Sequence, residues 1–255
     1  IIICRWNKAT ALFHPISEHG PLAGGFASGV KHPFPVREFE PPFHCKRLGC
    51  HLSIAGNNRC HVVRADIACF HHKTDEELLQ LRQAGYNGLT IGVETGDDAA
   101  LAFMRKGYAS RDILAQCKRL EQASIEYGFF YLTSISGKGR GEVGAKASAE
   151  IFNQLHPFLV GPNMLTIYPE SDLYREIQNG NWEEEGEIEK YRELRTLVEN
   201  LNISTYFAAM GAANAFQLRG KLPEDKEKLL ATLDRIISEV SEEELRHYRR
   251  NLRHL

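Results

Sequence analysis

The chain has 255 residues, of which 43% are hydrophobic and 25% charged, and its formal net charge is −2. This length accommodates one or two domains, and the balanced charge argues against nucleic-acid or anionic-membrane partners. No apolar run approaches the roughly 18 residues of a membrane helix, and Cys4 and Arg5 interrupt the apolar start, which argues against a signal peptide. We therefore expect a cytoplasmic protein. Because it begins with Ile rather than Met, we also expect it to be part of a longer product.

The first 72 residues differ in composition from the rest. Six of the ten prolines lie between residues 15 and 42, and neither a helical nor a strand period is sustained from Ala11 to about Asp66. Eight of the eleven histidines and five of the six cysteines also lie in this part. The composition predicts an irregular N-terminal part, residues 1–72, and a regular part, residues 73–255.

Regular structure is predicted from Thr74 onward. Residues 74–77 have the form of a capping box, in which the threonine and glutamate side chains bind amides of the first helical turn. The helix that follows ends at Gly85, and the apolar run at 89–93 predicts a short buried strand. A tight turn carrying Glu94 and Thr95 then leads into a helix that ends at Gly107.

The remaining predicted elements alternate between helix and strand. They are a helix capped by Ser110 and closed by Gly128, a strand at 129–135, a glycine-rich loop at 136–142, a helix at 145–155, a strand at 164–167, a helix at 189–201, a strand at 203–207 and two terminal helices, the second capped by Ser241. This alternation is typical of parallel βα units. Periodicity alone does not distinguish a barrel from a doubly wound sheet.

Candidate ligand groups follow three of the predicted strands, at Glu94 and Thr95, at 135–142 and at 168–171. In any parallel α/β fold these points meet at the carboxyl edge of the sheet, where such folds bind ligands. Asp97 and Asp98 can already cap the helix after Glu94, which favours a ligand-binding role for Glu94. For the glycine-rich loop, a surface turn without a ligand is the simpler interpretation.

The segment 85–101, Gly-Tyr-Asn-Gly-Leu-Thr-Ile-Gly-Val-Glu-Thr-Gly-Asp-Asp-Ala-Ala-Leu, continues into Met-Arg-Lys-Gly at 104–107. It resembles the fourth-strand region of the radical S-adenosylmethionine (radical SAM) superfamily. It is most similar to the branch of elongator-like and oxygen-independent coproporphyrinogen-oxidase-like iron–sulfur proteins. Further similar segments lie at 168–174, 192–201 and 219–226, so the resemblance covers most of residues 73–238.

The resemblance implies an α/β fold, a partial (β/α)6 barrel related to the TIM barrel, and an oxidoreductase-type radical enzyme. In active members, three cysteine thiolates hold a [4Fe-4S] cluster that reductively cleaves S-adenosylmethionine, with electrons from an external donor, to start chemistry on a substrate. The substrate is not identifiable from the sequence. By the resemblance, Glu94 contacts the ribose or methionine part of the cofactor, with Thr95 beside it. Ile135 and Gly137 lie beside the adenine, and Tyr168 lies near it.

The cluster loop departs from the family pattern. Cys4, Trp6 and Asn7 match the start of the branch's Cys-x-Trp/Tyr-Asn-x-Cys-x-x-Cys loop, but Ala9 and Leu12 stand where its other two cysteines should be. Neither side chain has a donor atom, and one thiolate cannot hold a four-iron cluster. We therefore expect that this chain, as written, binds no [4Fe-4S] cluster and is impaired.

Three explanations of this loop are open. The coding sequence could be damaged or shifted in frame over the segment, the chain could be a diverged non-catalytic relative, or other residues could rebuild a metal site. The donors available for such a site are His44, Cys45, Cys50, His51, Cys60, His61, Cys69, His71 and His72. Zinc accepts these ligand types, but the C-x4-C spacing is not the C-x2-C of structural zinc sites, and incidental side chains are the simpler interpretation. The alternative function is a non-catalytic binding or scaffold protein, with zinc as one option.

Overall fold

The computed structural model describes residues 62–251, which build a six-stranded sheet and the helices that cover it. The strands are β1 (Val62–Asp66), β2 (Gly88–Glu94), β3 (Glu126–Thr133), β4 (Leu159–Met164), β5 (Thr205–Ala209) and β6 (Leu218–Leu222). The helices are α1 (Ile67–Phe70), α2 (Asp75–Gln83), α3 (Asp98–Phe103), α4 (Ser110–Gln122), α5 (Gly141–Phe152), α6 (Asp172–Gln178), α7 (Glu187–Asn200), α8 (Lys226–Glu239) and α9 (Glu242–Arg250).

The strands lie in the sheet in the order in which they occur along the chain. Each neighbouring pair from β1 to β5 is parallel, and β6 closes the described sheet antiparallel to β5. A sheet that grows in one direction with helical crossovers is wound as in a βα barrel, whereas a doubly wound sheet reverses its strand order at a switch point. The expected α/β fold, part of a barrel, is confirmed.

The core lies between the sheet and its covering helices. Tyr127, Phe129 and Tyr131 alternate along β3 and are each at most 1% exposed. The Phe129 ring packs against Phe152 of α5, with ring centroids 4.7 Å apart, and α7 adds the buried Tyr191. Aromatic side chains bury more area than any others, so this one strand face contributes a large share of the hydrophobic stabilisation.

Predicted helix caps that depend on local sequence are confirmed. Thr74 and Glu77 form the capping box of α2, and Ser241 and Glu244 form that of α9. Gly85 has a φ of 94°, the left-handed conformation expected after the end of a helix.

Several predicted helix boundaries are wrong, because these helix ends do not use the predicted capping residues. Ala109, rather than Ser110, occupies the N-cap of α4, because the Asp112 carboxylate accepts a hydrogen bond from the Ala109 amide. The helix ends at Gln122 with Ser124 in the left-handed region, so Gly128 is free to lie inside β3. Helix α3 ends at Phe103, one turn earlier than predicted. Helix α5 begins at Gly141, four residues earlier than predicted.

Strand β4 lies earlier than the predicted strand at 164–167 and contains Pro162. Pairing between β4 and β5 ends at Val160, so Pro162 lies where β4 pairs only with β3. A strand without a second partner tolerates the missing amide hydrogen of proline. The antiparallel β6 was not predicted at all, because its Leu-Arg-Gly-Lys-Leu sequence is short and partly polar.

The sheet also begins earlier than the sequence indicates. Strand β1 and helix α1 lie within the segment 1–72, and β1 pairs with β2 along its whole length. The division of the chain between residues 72 and 73 stays a prediction. Within residues 62–251, no helix is both long enough and apolar enough to cross a membrane.

We predict that Phe129→Ala lowers the free energy of unfolding by about 3–5 kcal/mol, because it leaves a cavity in the centre of the core. Urea denaturation followed by circular dichroism measures this change. The control is Val143→Ala on α5, where the side chain is 57% exposed, and we expect a change within about 0.5 kcal/mol there. Equal effects of the two substitutions would contradict this description of the core.

Candidate functional site at the carboxyl edge of the sheet

A bulge at the end of β2 gives Glu94 an unusual backbone. The β2–β3 register is regular up to Gly92 and then shifts, so that Glu94 lies opposite Tyr131. Glu94 has a φ of 60°, in the left-handed region, which costs a non-glycine residue about 1–3 kcal/mol. The Tyr108 hydroxyl, from the turn after α3, donates to the carbonyl oxygen of Gly92 at 3.1 Å and supports the bulge. Such strain clusters at binding sites, where it aims a side chain.

The Glu94 carboxylate is buried and only half used. The residue is 5% exposed, and its Oε1 accepts a hydrogen bond from Lys106 Nζ at 3.0 Å. Its Oε2 is buried and has no hydrogen-bond partner within residues 62–251. A buried carboxylate oxygen without a donor is costly, and most such atoms in proteins are satisfied. Glu94 is therefore poised to accept a hydrogen bond from a ligand.

Asp66 is a second acidic residue at this edge, and sequence analysis missed it. It ends β1, in register with Gly92 of β2, and caps α1 by accepting a hydrogen bond from the Ala68 amide at 3.1 Å. Burial raises the pKa of Asp66 above its usual range, the Lys106 charge opposes this, and the Glu94 charge adds to it. Asp66, Glu94 and Lys106 thus interact electrostatically. In the sequence, Asp66 is marked only by its position after an apolar run, and this run is too short to be distinctive.

Hydrogen bonds to Ser148 hold the turn after Glu94 against α5. The Ser148 hydroxyl accepts a hydrogen bond from the Gly96 amide at 2.6 Å and donates to the Gly144 carbonyl oxygen at 2.7 Å. Thr95 is fully buried, and its Oγ1 lies 3.2 Å from the Ser148 hydroxyl. A side chain at Gly96 would meet the α5 backbone at 2.7 Å, so only glycine permits this approach. The predicted cofactor contact of Thr95 stays a prediction.

The glycine-rich loop after β3 lies beside this turn. Arg140 donates to the Asp97 carboxylate at 3.2 Å and joins the two loops. Gly137 has a φ of 81°, and a Cβ atom there would lie 2.8 Å from Trp182 Nε1. Ile135 is 1% exposed and packs in a second apolar cluster, whose other buried members are Ala100, Met104, Leu132, Leu165 and Leu173. Both residues therefore shape the loop; their contact with adenine stays a prediction.

Tyr168 lies in the segment that follows β4 and is half-buried. Its carbonyl oxygen accepts hydrogen bonds from the amide and the hydroxyl of Ser171, the residue that caps α6. This geometry forms a turn that leads into α6. The proximity of Tyr168 to adenine stays a prediction.

The predicted metal ligand Cys4 lies outside the described residues, as do Cys45, Cys50 and Cys60. Of the remaining cysteines, Cys69 is half-buried on α1, and Cys117 is fully buried on α4, where burial raises the pKa of its thiol. Cys117 is thus a packed core thiol. Between residues 62 and 251, no group of three or more His, Cys, Asp or Glu side chains is placed to hold a metal ion.

No family model matches this chain, and no curated protein matches its sequence. Among solved structures, an archaeal Elp3 from Methanocaldococcus infernus with an N-terminal deletion is similar to it, with a TM-score of 0.48 and 15% sequence identity. The match covers 56% of this chain and 34% of that chain, so this chain matches about a third of the length of that Elp3.

We predict that Ser148→Ala lowers the free energy of unfolding by about 1–3 kcal/mol, because it leaves the buried Gly96 amide without its acceptor. Chemical denaturation measures the change. Ser238→Ala on α8 is a matched control, since that hydroxyl also donates to the carbonyl four residues earlier, at 2.9 Å, but is exposed. If the two variants lose the same stability, the Gly96 bond does not hold the turn.

Proposed function

We propose that this chain is a radical SAM superfamily protein whose carboxyl edge, at the ends of β2 and β3, binds S-adenosylmethionine. The single observation that carries the proposal is Glu94. Glu94 lies at the position that the family resemblance assigns to a cofactor contact. Its backbone is left-handed, and one of its carboxylate oxygens is buried without a hydrogen-bond partner among the described residues.

The chemistry of the edge fits the cofactor. S-adenosylmethionine carries ribose hydroxyl groups and an ammonium group, and either donor would satisfy Glu94 Oε2. Lys106 would hold Oε1 and keep the carboxylate in place while the ligand binds. The loop at 134–140 and the turn at Tyr168 would supply the adenine side of the site, as the resemblance implies. When bound and reductively cleaved, the cofactor supplies the radical chemistry of this superfamily.

The [4Fe-4S] cluster of the family does not fit the loop at residues 4–12, which offers one thiolate. Cys69 and Cys117 lie on separate helices, α1 and α4, and no group of three or more metal-binding side chains occurs within residues 62–251. We therefore assign to this chain cofactor binding without the reductive step.

We predict that Glu94→Gln weakens binding of S-adenosylmethionine about 10- to 100-fold, because the amide places a donor where the carboxylate accepts and removes a charge worth about 1.5–3 kcal/mol. Isothermal titration calorimetry measures the dissociation constant. Glu126→Gln is the matched control, since Glu126 is exposed at the opposite end of the neighbouring strand β3. Wild-type protein with no affinity for the cofactor would refute the proposal and favour the scaffold alternative.

We predict that anaerobic reconstitution with iron and sulfide yields a colourless protein without stoichiometric iron. A [4Fe-4S] cluster needs three protein thiolates, and the loop at 4–12 has one. Metal analysis and visible absorption provide the measurement. A thiolate-to-iron absorption band would overturn this prediction, and stoichiometric zinc would instead support a rebuilt metal site. The Ala9→Cys/Leu12→Cys double variant is the informative comparison, because it restores the spacing of the family loop.

A further inference from the structure

Two buried glutamates hold both ends of the loop that joins β3 to α5. Glu193, from α7, is 0% exposed; its Oε2 accepts a hydrogen bond from the Ser134 amide at 2.6 Å, and its Oε1 accepts one from the Tyr131 hydroxyl. Glu185, from the segment before α7, is 5% exposed, and its Oε1 accepts a hydrogen bond from the Gly141 amide at 3.0 Å. The segment 134–141 is thus anchored at its first and last residues by acids that the proposed function does not use.

The two carboxyl groups also lie close together. They converge on Gly141, where a Cβ atom would lie 2.8 Å from both Glu185 Cδ and Glu193 Oε2. Two buried carboxyl groups this close avoid repulsion when one of them carries a proton that the other can accept. Glu185 Oε2 is buried and has no hydrogen-bond partner within residues 62–251, so it is the oxygen best placed to share that proton.

The surroundings favour retention of the proton. Burial raises the pKa of Glu193 well above its usual range, and the Glu185 charge raises it further. Burial also raises the pKa of Glu185, although the adjacent Glu193 carboxyl group and the hydrogen bond from the Gly141 amide oppose this. Two carboxylates in contact away from water cannot both ionise without a large electrostatic cost.

The other groups near the pair leave little compensating positive charge. Strand β3 contributes the neutral Tyr131 hydroxyl, and α7 contributes Glu189 and Lys190. The Lys190 ammonium is already engaged by Glu184 at 2.6 Å and Glu187 at 2.9 Å. Helix α5 also carries the Ser148 hydroxyl, near Tyr131, and Glu142, which accepts a hydrogen bond from Thr196. In the loop after β3, Arg140 is paired with Asp97 and Lys138 with Glu183.

We propose that Glu185 and Glu193 share one proton and act as a positioning pair, which holds the segment 134–141 at the carboxyl edge only while that proton is bound. Loss of the proton places two carboxylates against each other in a dry site. The repulsion then separates the loop from α7 at Ser134 and Gly141. The segment contains Ile135 and Gly137, which the proposed function assigns to the adenine side of the site. An effect of the positioning pair on S-adenosylmethionine binding therefore rests on the proposed function. The positioning pair itself does not rest on it.

The sign of the pH dependence follows from the raised pKa values. The folded protein binds more protons at the pair than the unfolded chain does, so the stabilisation is complete below the ordinary glutamate pKa of 4.5. It is lost as the pH rises through the raised folded-state value. The device therefore loosens the loop on the alkaline side and not on the acidic side.

The decisive experiment is a carboxyl titration by NMR with ¹³C-labelled glutamate, from about pH 5 to 9. In wild-type protein we expect one side-chain carboxyl of the pair to titrate above all exposed glutamates. Glu185→Gln should abolish that titration, because its amide donates permanently where the shared proton was. Glu150→Gln, the same charge change at an exposed position of α5, should leave it unchanged. Full ionisation of both carboxyls across this range in wild-type protein would overturn the proposal, whether or not the variant folds.

Hydrogen exchange separates positioning from simple packing. After correction for the intrinsic rate, the protection of the Ser134 and Gly141 amides should fall at least about tenfold across the titration in wild-type protein. It should stay constant with pH in Glu185→Gln, in which the conservative amide restores the donor. Constant protection in wild-type protein would refute the loop's dependence on the proton.

Calorimetry with S-adenosylmethionine then tests the link to the site. We expect the affinity to fall with rising pH in wild-type protein and to be independent of this titration in Glu185→Gln. An affinity that shows the same pH dependence in both would refute the link. Absence of all binding would refute the proposed function, and the carboxyl titration and the amide protection would still decide the positioning pair.

Discussion

The aromatic face of β3 is buried beneath helices α4, α5 and α7, and the positions of the neighbouring strands follow from that burial. Tyr127, Phe129 and Tyr131 must all point to the helices, which sets the register of β3. Because side chains alternate along a strand, a slip of one residue would turn all three rings away from these helices. The parallel register with β2 and β4 then places the strand-to-helix connections after β2, β3 and β4 at one edge. The candidate site exists because this edge is held so firmly.

The same helices that bury β3 also hold the loops of the site. Ser148 of α5 accepts from Gly96 in the turn after β2, and Glu193 of α7 accepts from Ser134 in the loop after β3. These bonds are buried, so their partners cannot be replaced by water without loss. The left-handed backbone of Glu94 can persist because its surroundings are this rigid. The same helices therefore determine both the stability of the core and the geometry of the site.

Local signals in the sequence were sufficient where a structure depends on neighbours in the chain. The Thr74 capping box and the place of Glu94 directly after a buried strand both depend on residues within a few positions. Partners distant in sequence were missed. Ser148 lies 52 positions from Gly96, and Glu193 lies 59 positions from Ser134. No periodicity or spacing connects such pairs, since only the packing of α5 and α7 on the sheet brings them together.

The sequence by itself determined the alternation of strands and helices, the acidic residue at the end of β2, and the shortage of thiolates, with Ala9 and Leu12 where the resembling family has cysteines. Only the tertiary structure decided that the strands lie in the sheet in chain order, and that one Glu94 oxygen has no hydrogen-bond partner among the described residues. Composition and period report which atoms a segment carries and which face it buries. Whether a carboxylate is paired, buried or left open depends on which segments meet, and that is a property of the packed fold.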